Sequence, residues 1–463
     1  KPRSISVSSV SRMAAIAAVL GAMALVVLDA GMSNVALPTI ARTLNVTSAE
    51  AIRVTTAYQL GIVIALLPAA ALGESLGLRR TFVIGVSLFT VGSAVSACSP
   101  SLPWLVAARF AQGLGGAGVM ALGIALLRTI VDADRFGAAI GWNALTVALA
   151  SAAGPALGAA ILSLTSWPCL FAIEAPIAAG VLLAARGLPF AAGSGRRIDI
   201  HSVALNACVF ALAVVGVERV HAKPVAGLSL LVASALALTI LFRREAKRSA
   251  PMLPLDLLRR PPFRRSVLSS VLCFSGQTSG LIALPFYLQD RLGVPLIATG
   301  VYLAPWPLAV AVVGPIAGKL ADRYATDRLC FAGGSILGLG LVMTAIVPWQ
   351  SGSTLIACSI ALCGVGFGLF NVPNNRNMFL SAPSERSGAA GGLQGMARLT
   401  GQTAGALTLT YLFTAAGAET APRIGLAIGG ALALLSGLAS LSLHARDVAE
   451  QATDVGDRQA YDS

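Results

Sequence analysis

Long apolar stretches separated by short polar breaks fill almost the whole chain. Each stretch is close to the roughly 20 residues that an α-helix needs to cross the hydrocarbon core of a bilayer. Proline and glycine interrupt several stretches, which membrane helices tolerate because neighbouring helices satisfy the freed backbone groups. The pattern predicts an all-α membrane protein with fourteen transmembrane helices, at residues 13–36, 52–73, 82–98, 102–127, 137–163, 167–186, 200–218, 225–242, 265–289, 297–319, 329–349, 354–380, 388–415 and 421–444.

The composition agrees with this prediction. Of 463 residues, 56% are hydrophobic and only 11% are charged, which excludes a large water-soluble enzyme. The first apolar stretch continues through Asp29 to Pro38, beyond the length of the hydrophobic region of a signal peptide. We therefore expect it to be retained as the first transmembrane helix.

The net charge of +13 would suggest nucleic-acid binding in a soluble protein. With fourteen helices and a cytoplasmic N-terminus, however, 25 of the 33 Lys and Arg residues fall in cytoplasmic segments and six in outer ones. This asymmetry is the positive-inside pattern of membrane proteins. We therefore expect a multi-pass protein of a bacterial inner (plasma) membrane with both termini in the cytoplasm, and no nucleic-acid partner.

Short motifs occur twice in the same order, about 250 residues apart. Ala36-Leu37-Pro38 recurs as Ala283-Leu284-Pro285, and Arg135-x-Gly-Ala-Ala-x-Gly recurs from Arg386. Such duplication is a common plan of transporters with a central site. It predicts an N-terminal six-helix bundle (1–190), inserted helices 7 and 8 with linkers (191–250), a C-terminal six-helix bundle (251–445) and a polar cytoplasmic tail (446–463).

Three charged residues of the first half fall inside predicted helices and away from the helix ends, namely Asp29, Arg109 and Glu174. Charges are costly in a bilayer, so each is a candidate functional residue. A carboxylate in a low-dielectric site can act as a reversible proton carrier, and a nearby Arg can modulate it. We expect all three to take part in proton coupling. The structural alternatives are a fixed ion pair between Asp29 and Arg109, and a hydrated Glu174 near the headgroups.

Polar and aromatic side chains within the helices are candidates for a substrate cavity. The alternatives are hydrogen bonds between helices and anchoring at the membrane interface. Predicted helices 9 to 14 contain no Asp or Glu in mid-span, so carboxylate chemistry is confined to the first half. We assign to the substrate cavity Asn34, Tyr58, Gln59, Glu174, Gln277, Tyr287, Asn371 and Arg398.

Motifs for catalysis and metal binding are missing from the sequence. The seven cysteines lack metal-ligand spacing, and there are only three histidines. No His-Glu-x-x-His, Gly-x-Ser-x-Gly or Walker-type motif occurs. We therefore expect no metal, no cofactor and no enzymatic activity.

Three motifs resemble those of the major facilitator superfamily, specifically its fourteen-span drug:proton antiporter branch. They are Leu28-Asp29-x-x-x-x-Asn34-Val35-Ala36-Leu37-Pro38, Arg109-x-x-Gln112-Gly113-x-Gly115 and Gly154-Pro155-x-x-Gly158. The resemblance covers nearly the whole chain. It implies the major facilitator fold, with two six-helix bundles and two inserted helices, and a role in proton coupling for Asp29 and Arg109. The family's usual final Gly of the third motif is Ala159 here.

The loop between helices 2 and 3 resembles the family's loop signature in Gly73-Glu74-Ser75-x-Gly77-x-Arg79-Arg80. The family usually has Asp in place of Glu74 and Arg in place of Ser75, and the second-half copy from Gly318 to Arg323 fits the signature better. We assign to gating and conformational motifs Gly73, Glu74, Gly77, Arg79, Arg80, Gly154, Pro155, Gly158, Asp322 and Arg323.

The start of helix 6, Trp167-x-x-x-Phe171-x-Ile173-Glu174-x-Pro176, also resembles the family. The family usually has Asn in place of Glu174. The added acid indicates either a cationic substrate or a second proton site.

These patterns predict a proton-coupled secondary transporter that exports amphipathic small molecules or drugs, cations among them, by alternating access. Its expected partners are a small-molecule substrate, protons and the lipid bilayer, and we expect a monomer. The expected biological role is multidrug efflux and antibiotic resistance. A dedicated transporter of one metabolite, such as a siderophore, pigment or toxin, is the alternative; a membrane sensor and an intramembrane enzyme are less favoured.

Overall fold

The computed structural model describes residues 9–132, 136–190, 193, 195, 199–248, 255–346, 353–383 and 387–461. Within these ranges the regular structure is helical, and a turn of π-helix at Tyr287–Arg291 continues α10. The α-helices are α1 (Ser9–Thr43), α2 (Ser48–Leu76), α3 (Leu78–Ala97), α4 (Leu102–Ile130), α5 (Phe136–Leu164), α6 (Pro168–Ala184), α7 (Ile200–Val220), α8 (Pro224–Glu245), α9 (Leu255–Leu258), α10 (Pro261–Phe286), α11 (Leu296–Leu303), α12 (Pro305–Leu320), α13 (Thr326–Ile346), α14 (Ser353–Leu380) and α15 (Ser387–Tyr461).

Thirteen segments in the described ranges are long and apolar enough to cross a membrane. The last, Ala390–Leu441, has 52 residues, or about 78 Å of helix, which is more than twice the thickness of the hydrocarbon core. Gly417 divides α15 at a non-helical backbone conformation with φ +77°, so this segment supplies two spans. The all-α membrane fold and the fourteen predicted helices are thereby confirmed. The helix continues through the polar residues of the predicted tail as far as Tyr461.

Local sequence explains where α2 begins and ends. Thr47 caps its start, because the Thr47 hydroxyl accepts from the backbone N–H of Glu50, and the Glu50 carboxylate accepts from the backbone N–H of Thr47. This reciprocal pair is a capping box. Gly77 ends the helix with φ +99°, a conformation that residues with a Cβ rarely adopt. The chain therefore turns directly into α3.

The chain forms two units. The first comprises Lys1–Leu253 together with Leu281–Pro307 and Ala406–Arg423; the second comprises Pro254–Gly280, Leu308–Gly405 and Ile424–Ser463. The first unit therefore holds the first half of the sequence with two segments of the second half. The repeat residues Arg135 and Arg386 lie outside the described residues.

Small residues allow α2 and α4 to approach closely in the first unit. A Cβ added at Gly113 would lie 2.1 Å from the carbonyl oxygen of Tyr58, and one added at Gly61 would lie 2.4 Å from that of Phe110. Both neighbours are backbone atoms, which cannot turn aside as a flexible side chain can. Close helix contact through small residues is typical of membrane proteins, and here it holds α4 and its Arg109 against α2.

Gly113→Ala should destabilise the protein by about 1–3 kcal/mol, because the added methyl group forces α2 and α4 apart. Gly116→Ala is a matched control on the same helix, since its Cβ would meet its nearest neighbour, the Tyr58 hydroxyl, at 3.4 Å. Thermal unfolding of both variants in detergent micelles measures the difference. Equal losses of stability in the two variants would contradict this account of the packing.

Of the inserted helices, α7 packs on α2 of the first half of the chain, and α8 packs on α7. The Asn206 side chain donates to the carbonyl oxygen of Ile64 at 3.1 Å, and Arg53 pairs with Glu218 at 3.3 Å. At the start of α7, a hydrogen bond from Arg244 is the main cause that holds the pKa of the Asp199 carboxyl well below its usual range. This bond joins α7 to the end of α8 and persists until the solution is strongly acidic.

Candidate functional site

An ion pair between Asp29 of α1 and Arg109 of α4 lies in the interior of the first unit. Arg109 Nη1 donates to Asp29 Oδ1 at 2.6 Å, and both side chains are 0% exposed. Ser33, one turn further along α1, donates to the same oxygen at 3.3 Å. The two charges that the sequence places in separate helices are therefore direct partners.

Gln112 connects this pair to Glu174 of α6. Its side-chain oxygen accepts from Arg109 at 2.7 Å, and its amide nitrogen donates to Glu174 Oε2 at 3.0 Å. Ser93 of α3 lies 2.7 Å from the same carboxylate oxygen. Glu174 is 1% exposed. One hydrogen-bonded chain, which we call the buried network, thus runs through Asp29, Arg109, Gln112, Glu174 and Ser93.

Aromatic rings surround the guanidinium of Arg109. Its central carbon lies 4.2 Å from the ring centroid of Tyr58 and 5.1 Å from that of Phe171, distances at which a cation is attracted to the face of a ring. The Tyr58 hydroxyl donates to the carbonyl oxygen of Val26 at 3.3 Å. The rings therefore shield the ion pair from solvent while stabilising its positive charge.

The buried network leaves polar atoms unsatisfied. Among the described residues, Asp29 Oδ2, Glu174 Oε1 and Arg109 Nη2 and Nε have no hydrogen-bond partner. Buried polar atoms are nearly always paired, and exceptions cluster at sites that work through such atoms. The two free carboxylate oxygens are atoms to which a proton can add without breaking an existing bond.

The residues predicted to line a substrate cavity fall into two groups. Tyr58, Glu174 and Tyr287 are 2%, 1% and 4% exposed, and Gln59 is 9% exposed. Tyr58 and Glu174 were expected to line the cavity. Instead Tyr58 contacts Arg109 and Glu174 contacts Gln112, and both present almost no surface to a ligand in this conformation. Partly exposed, by contrast, are Asn34, Gln277, Asn371 and Arg398.

A chain of amides lies in the second unit. The Asn375 side chain donates to Asn371 Oδ1 at 3.2 Å, and the Gln394 side chain donates to Asn375 Oδ1 at 3.1 Å. Arg398 follows Gln394 by one turn of α15 and is partly exposed. Asn374, beside these residues, is instead buried and donates to the carbonyl oxygen of Ser266 at 3.2 Å. We call Asn371, Asn375 and Gln394 the amide chain.

The glycines predicted for gating in α5 contact α1. A Cβ at Gly154 would lie 3.1 Å from the Cα of Gly31, and one at Gly158 would lie 2.9 Å from the Cα of Met32. Ala159, where the family usually has Gly, faces Gly300 of α11, whose added Cβ would lie 2.6 Å from that of Ala159. Here the glycine that allows the close approach is Gly300 on the opposite helix.

The signature loop between α2 and α3 contacts the segment that follows α6. The backbone N–H of Gly195 donates to the carbonyl oxygen of Ser75 at 3.1 Å, and Arg80 lies 5.0 Å from the ring centroid of Phe190. Glu74 is exposed. Gly73 is buried, and a Cβ there would lie 2.5 Å from the Leu122 side chain. The contact of this loop with the segment after α6 was not predicted, because it joins residues more than a hundred positions apart.

The second-half copy of that loop forms an ion pair. Asp322 is bonded to Arg376 of α14, so the better-matching copy of the signature links α12 to α14. Arg323, also assigned to gating, is exposed.

The end of α1 contacts the π-helical turn that follows α10, within the first unit. Arg42 donates to Gln289 Oε1 at 3.3 Å and lies 3.7 Å from the Asp290 carboxylate. Gln289 in turn donates to the carbonyl oxygen of Val35 at 3.2 Å. These contacts tie a segment of the second half of the sequence to the first helix.

Sequence reasoning did not assign Gln112 and Ser93 to the site. Gln112 follows Arg109 by three residues in the same motif, so the two side chains lie on one face of a helix. This spacing could have predicted that Gln112 belongs to the site. Ser93 carries no such signal, because one serine in an apolar helix usually bonds to its own backbone.

Comparisons with known proteins agree with this architecture. Residues 19–406 match the family model described as Major Facilitator Superfamily. The chain is 38% identical over 436 residues to the uncharacterized transporter YebQ of Escherichia coli, covering 93% of this chain and 95% of that protein. It is 31% identical to the multidrug resistance protein Stp of Mycobacterium tuberculosis, with coverages of 84% and 74%. It is 27% identical to the riboflavin transporter RibZ of Clostridioides difficile, with coverages of 79% and 80%.

A solved structure of a peptide transporter POT in complex with sulfate has the same fold. The TM-score is 0.71, at 16% identity, and the match covers 93% of this chain and 94% of that chain. At this identity the likeness concerns the fold alone.

Proposed function

We propose that this chain, which belongs to the Major Facilitator Superfamily, is a proton-coupled exporter of amphipathic small molecules in a bacterial inner membrane. Membership of the family makes it a membrane transporter. The observation that carries the proposal is the buried network, because it places two carboxylates and one guanidinium where water is excluded. Alternating access would expose this network and the substrate site to each side of the membrane in turn.

The charge of the buried network favours the uptake of one proton. With Asp29, Glu174 and Arg109 all ionised, the network carries a net charge of −1, and one bound proton makes it neutral. An uncompensated charge inside a membrane protein is costly. The closed network therefore favours the protonated state, and exposure to water favours release of the proton.

Glu174 fits a second proton site better than a site for a cationic substrate. Ser93 Oγ lies 2.8 Å from the carbonyl oxygen of Phe171 and 2.7 Å from Glu174 Oε2, but a hydroxyl has only one proton to donate. Ser93 can donate to an ionised Glu174, or donate to Phe171 while it accepts from Glu174 protonated at Oε2. The same geometry thus serves both protonation states.

Substrate is coupled to the proton when the two ligands favour different states or compete. Asp29 lies two residues from Gly31, where α1 contacts Gly154 of α5 at close range. A change in the charge of Asp29 alters its bond to Arg109 and so the position of α1. We propose that this movement at the contact of α1 with α5 links protonation to the gating motif.

Release of protons on substrate binding tests the proposal. A panel of drugs is first screened for the compound that most raises the melting temperature of the purified protein. That compound is then added to protein in a weakly buffered detergent solution, and the pH change is recorded. We expect proton release from the wild type and less release from Glu174→Gln, while Asp199→Asn, an acid outside the buried network, behaves as the wild type. Binding without proton release at every pH tested would refute proton coupling.

A dedicated transporter of one metabolite is the second candidate. The relative RibZ, described as a riboflavin transporter, favours it, whereas Stp, described as a multidrug resistance protein, favours broad export. The same panel separates the two candidates. A single tight ligand among many non-binders indicates a dedicated transporter, and several unrelated ligands of moderate affinity indicate multidrug export.

A further inference from the structure

The amide chain and Arg398 occupy similar depths in two neighbouring helices of the second unit. Asn371 lies nine residues before the end of α14 at Leu380, and Arg398 lies eleven residues after the start of α15 at Ser387. At about 1.5 Å per residue, these positions are roughly 14 Å and 16 Å from the helix ends. Both side chains are therefore near the middle of a membrane span.

The partly exposed side chains of α15 form a polar stripe at mid-span. Gln394, Arg398 and Gln402 recur every four residues on one face of α15, and all three are partly exposed. A face towards lipid would be apolar, because charged and amide groups are costly in hydrocarbon. Partly exposed polar residues at mid-span are typical of the walls of a polar cavity.

The fixed charge of this face is positive. The sequence contains no Asp or Glu between Asp327 and Glu385 or between Glu385 and Glu419, so α14 and the first part of α15 carry no embedded acid. In the first unit, the embedded acids Asp29 and Glu174 are 0% and 1% exposed. Arg398, which is partly exposed, is therefore the mid-span charge of this face.

We infer that Arg398 and the amide chain select an anionic amphipathic substrate that is rich in hydrogen-bond acceptors, rather than a cationic one. This inference rests on the proposed function, because it names the substrate class of the same transporter. A guanidinium offers a planar fork of donors that matches carboxylate or enolate oxygens. The side-chain amides beside it can donate to carbonyl groups and accept from imide N–H groups. Together they form a surface that repels a cation and orients a flat anion.

Two dyes with the same xanthene core test this charge preference. Fluorescein is an anion at mildly alkaline pH, and rhodamine 123 is a cation of similar size. Binding of each dye to the purified full-length protein in detergent micelles is followed by fluorescence anisotropy. We expect the wild type to bind fluorescein about tenfold more tightly than rhodamine 123, which corresponds to about 1.4 kcal/mol.

Variants of Arg398 connect the preference to this side chain. Arg398→Gln should weaken fluorescein binding about tenfold and strengthen rhodamine 123 binding, because the guanidinium that repels the cationic dye is gone. Arg398→Lys should keep most of the affinity for fluorescein, because it retains the charge. Arg328→Gln removes a cation from an exposed position of the same unit and should leave both dyes unaffected. The melting temperatures of the variants show whether each is folded.

The inference is overturned if fluorescein binds no more tightly than rhodamine 123, or if Arg398→Gln weakens both dyes equally. Transport in proteoliposomes under an imposed pH gradient separates this failure from that of the proposed function. Fluorescein binding that depends on Arg398, without any gradient-driven transport, would refute the proposed function but leave the inference standing. Gradient-driven transport of rhodamine 123 that does not depend on Arg398 would support the proposed function and refute the inference.

Discussion

Asp29→Asn is expected to abolish transport driven by a pH gradient while the protein stays folded. Asparagine has the shape of aspartate and retains an oxygen that can accept from Arg109, which is 2.6 Å away in the wild type. It cannot bind and release a proton, so the network loses the step that links the gradient to movement. The initial rate of uphill transport in proteoliposomes should fall to the background measured without protein.

Exchange of labelled for unlabelled substrate in the absence of a gradient should continue in Asp29→Asn, because exchange needs no net proton movement. Asp199→Asn is the matched control, since Asp199 lies at the start of α7 and outside the buried network. Gradient-driven transport at the normal rate in Asp29→Asn would show that Asp29 is not the coupling site.

Arg109→Met is expected to destabilise the protein strongly. It leaves Asp29 and Glu174 buried without a compensating cation, and breaking a buried pair in this way costs about 3–5 kcal/mol. The loss should be smaller in acid solution, because protonation removes the unpaired negative charge. Adding Asp29→Asn to Arg109→Met should restore much of the stability. The double variant buries one acid, Glu174, where the single variant buries two, and that acid can be protonated.

Thermal unfolding of the four proteins of this double-mutant cycle measures the interaction between the two sites. Arg328→Met provides a control for the loss of an arginine at an exposed position. Additive losses in the double variant would mean that the charges of Asp29 and Arg109 do not stabilise each other, despite their short contact.

The helices were predictable because the signal is local. In lipid each apolar stretch must satisfy its own backbone N–H and C=O groups, which an α-helix of about 20 residues achieves. The break between predicted helices 13 and 14, at 416–420, contains Gly417, where the positive φ interrupts α15. The embedded charges were also visible, because a charge among apolar residues is conspicuous.

The partners within the site were less predictable because they depend on how helices pack. Ser93 and Glu174 are 81 residues apart, and nothing in either helix alone specifies that they meet. Tyr58 is assigned to a substrate cavity as a ring that could stack on a ligand, and Glu174 as an added acid, yet a ring and an acid equally suit partners of a buried cation. Their exposures of 2% and 1% favour the second role.

The contact between α1 and the turn after α10 joins two copies of one sequence position. The offset of 247 that relates Ala36-Leu37-Pro38 to Ala283-Leu284-Pro285 also relates Arg42 to Gln289, and these two side chains are hydrogen-bonded to each other. Two arginines at such a position would repel, and two aspartates would do the same. The two predicted repeats therefore differ in chemistry at this position, with a donor in one and an acceptor in the other. A chain built from two identical halves could not place an arginine opposite a glutamine at this position.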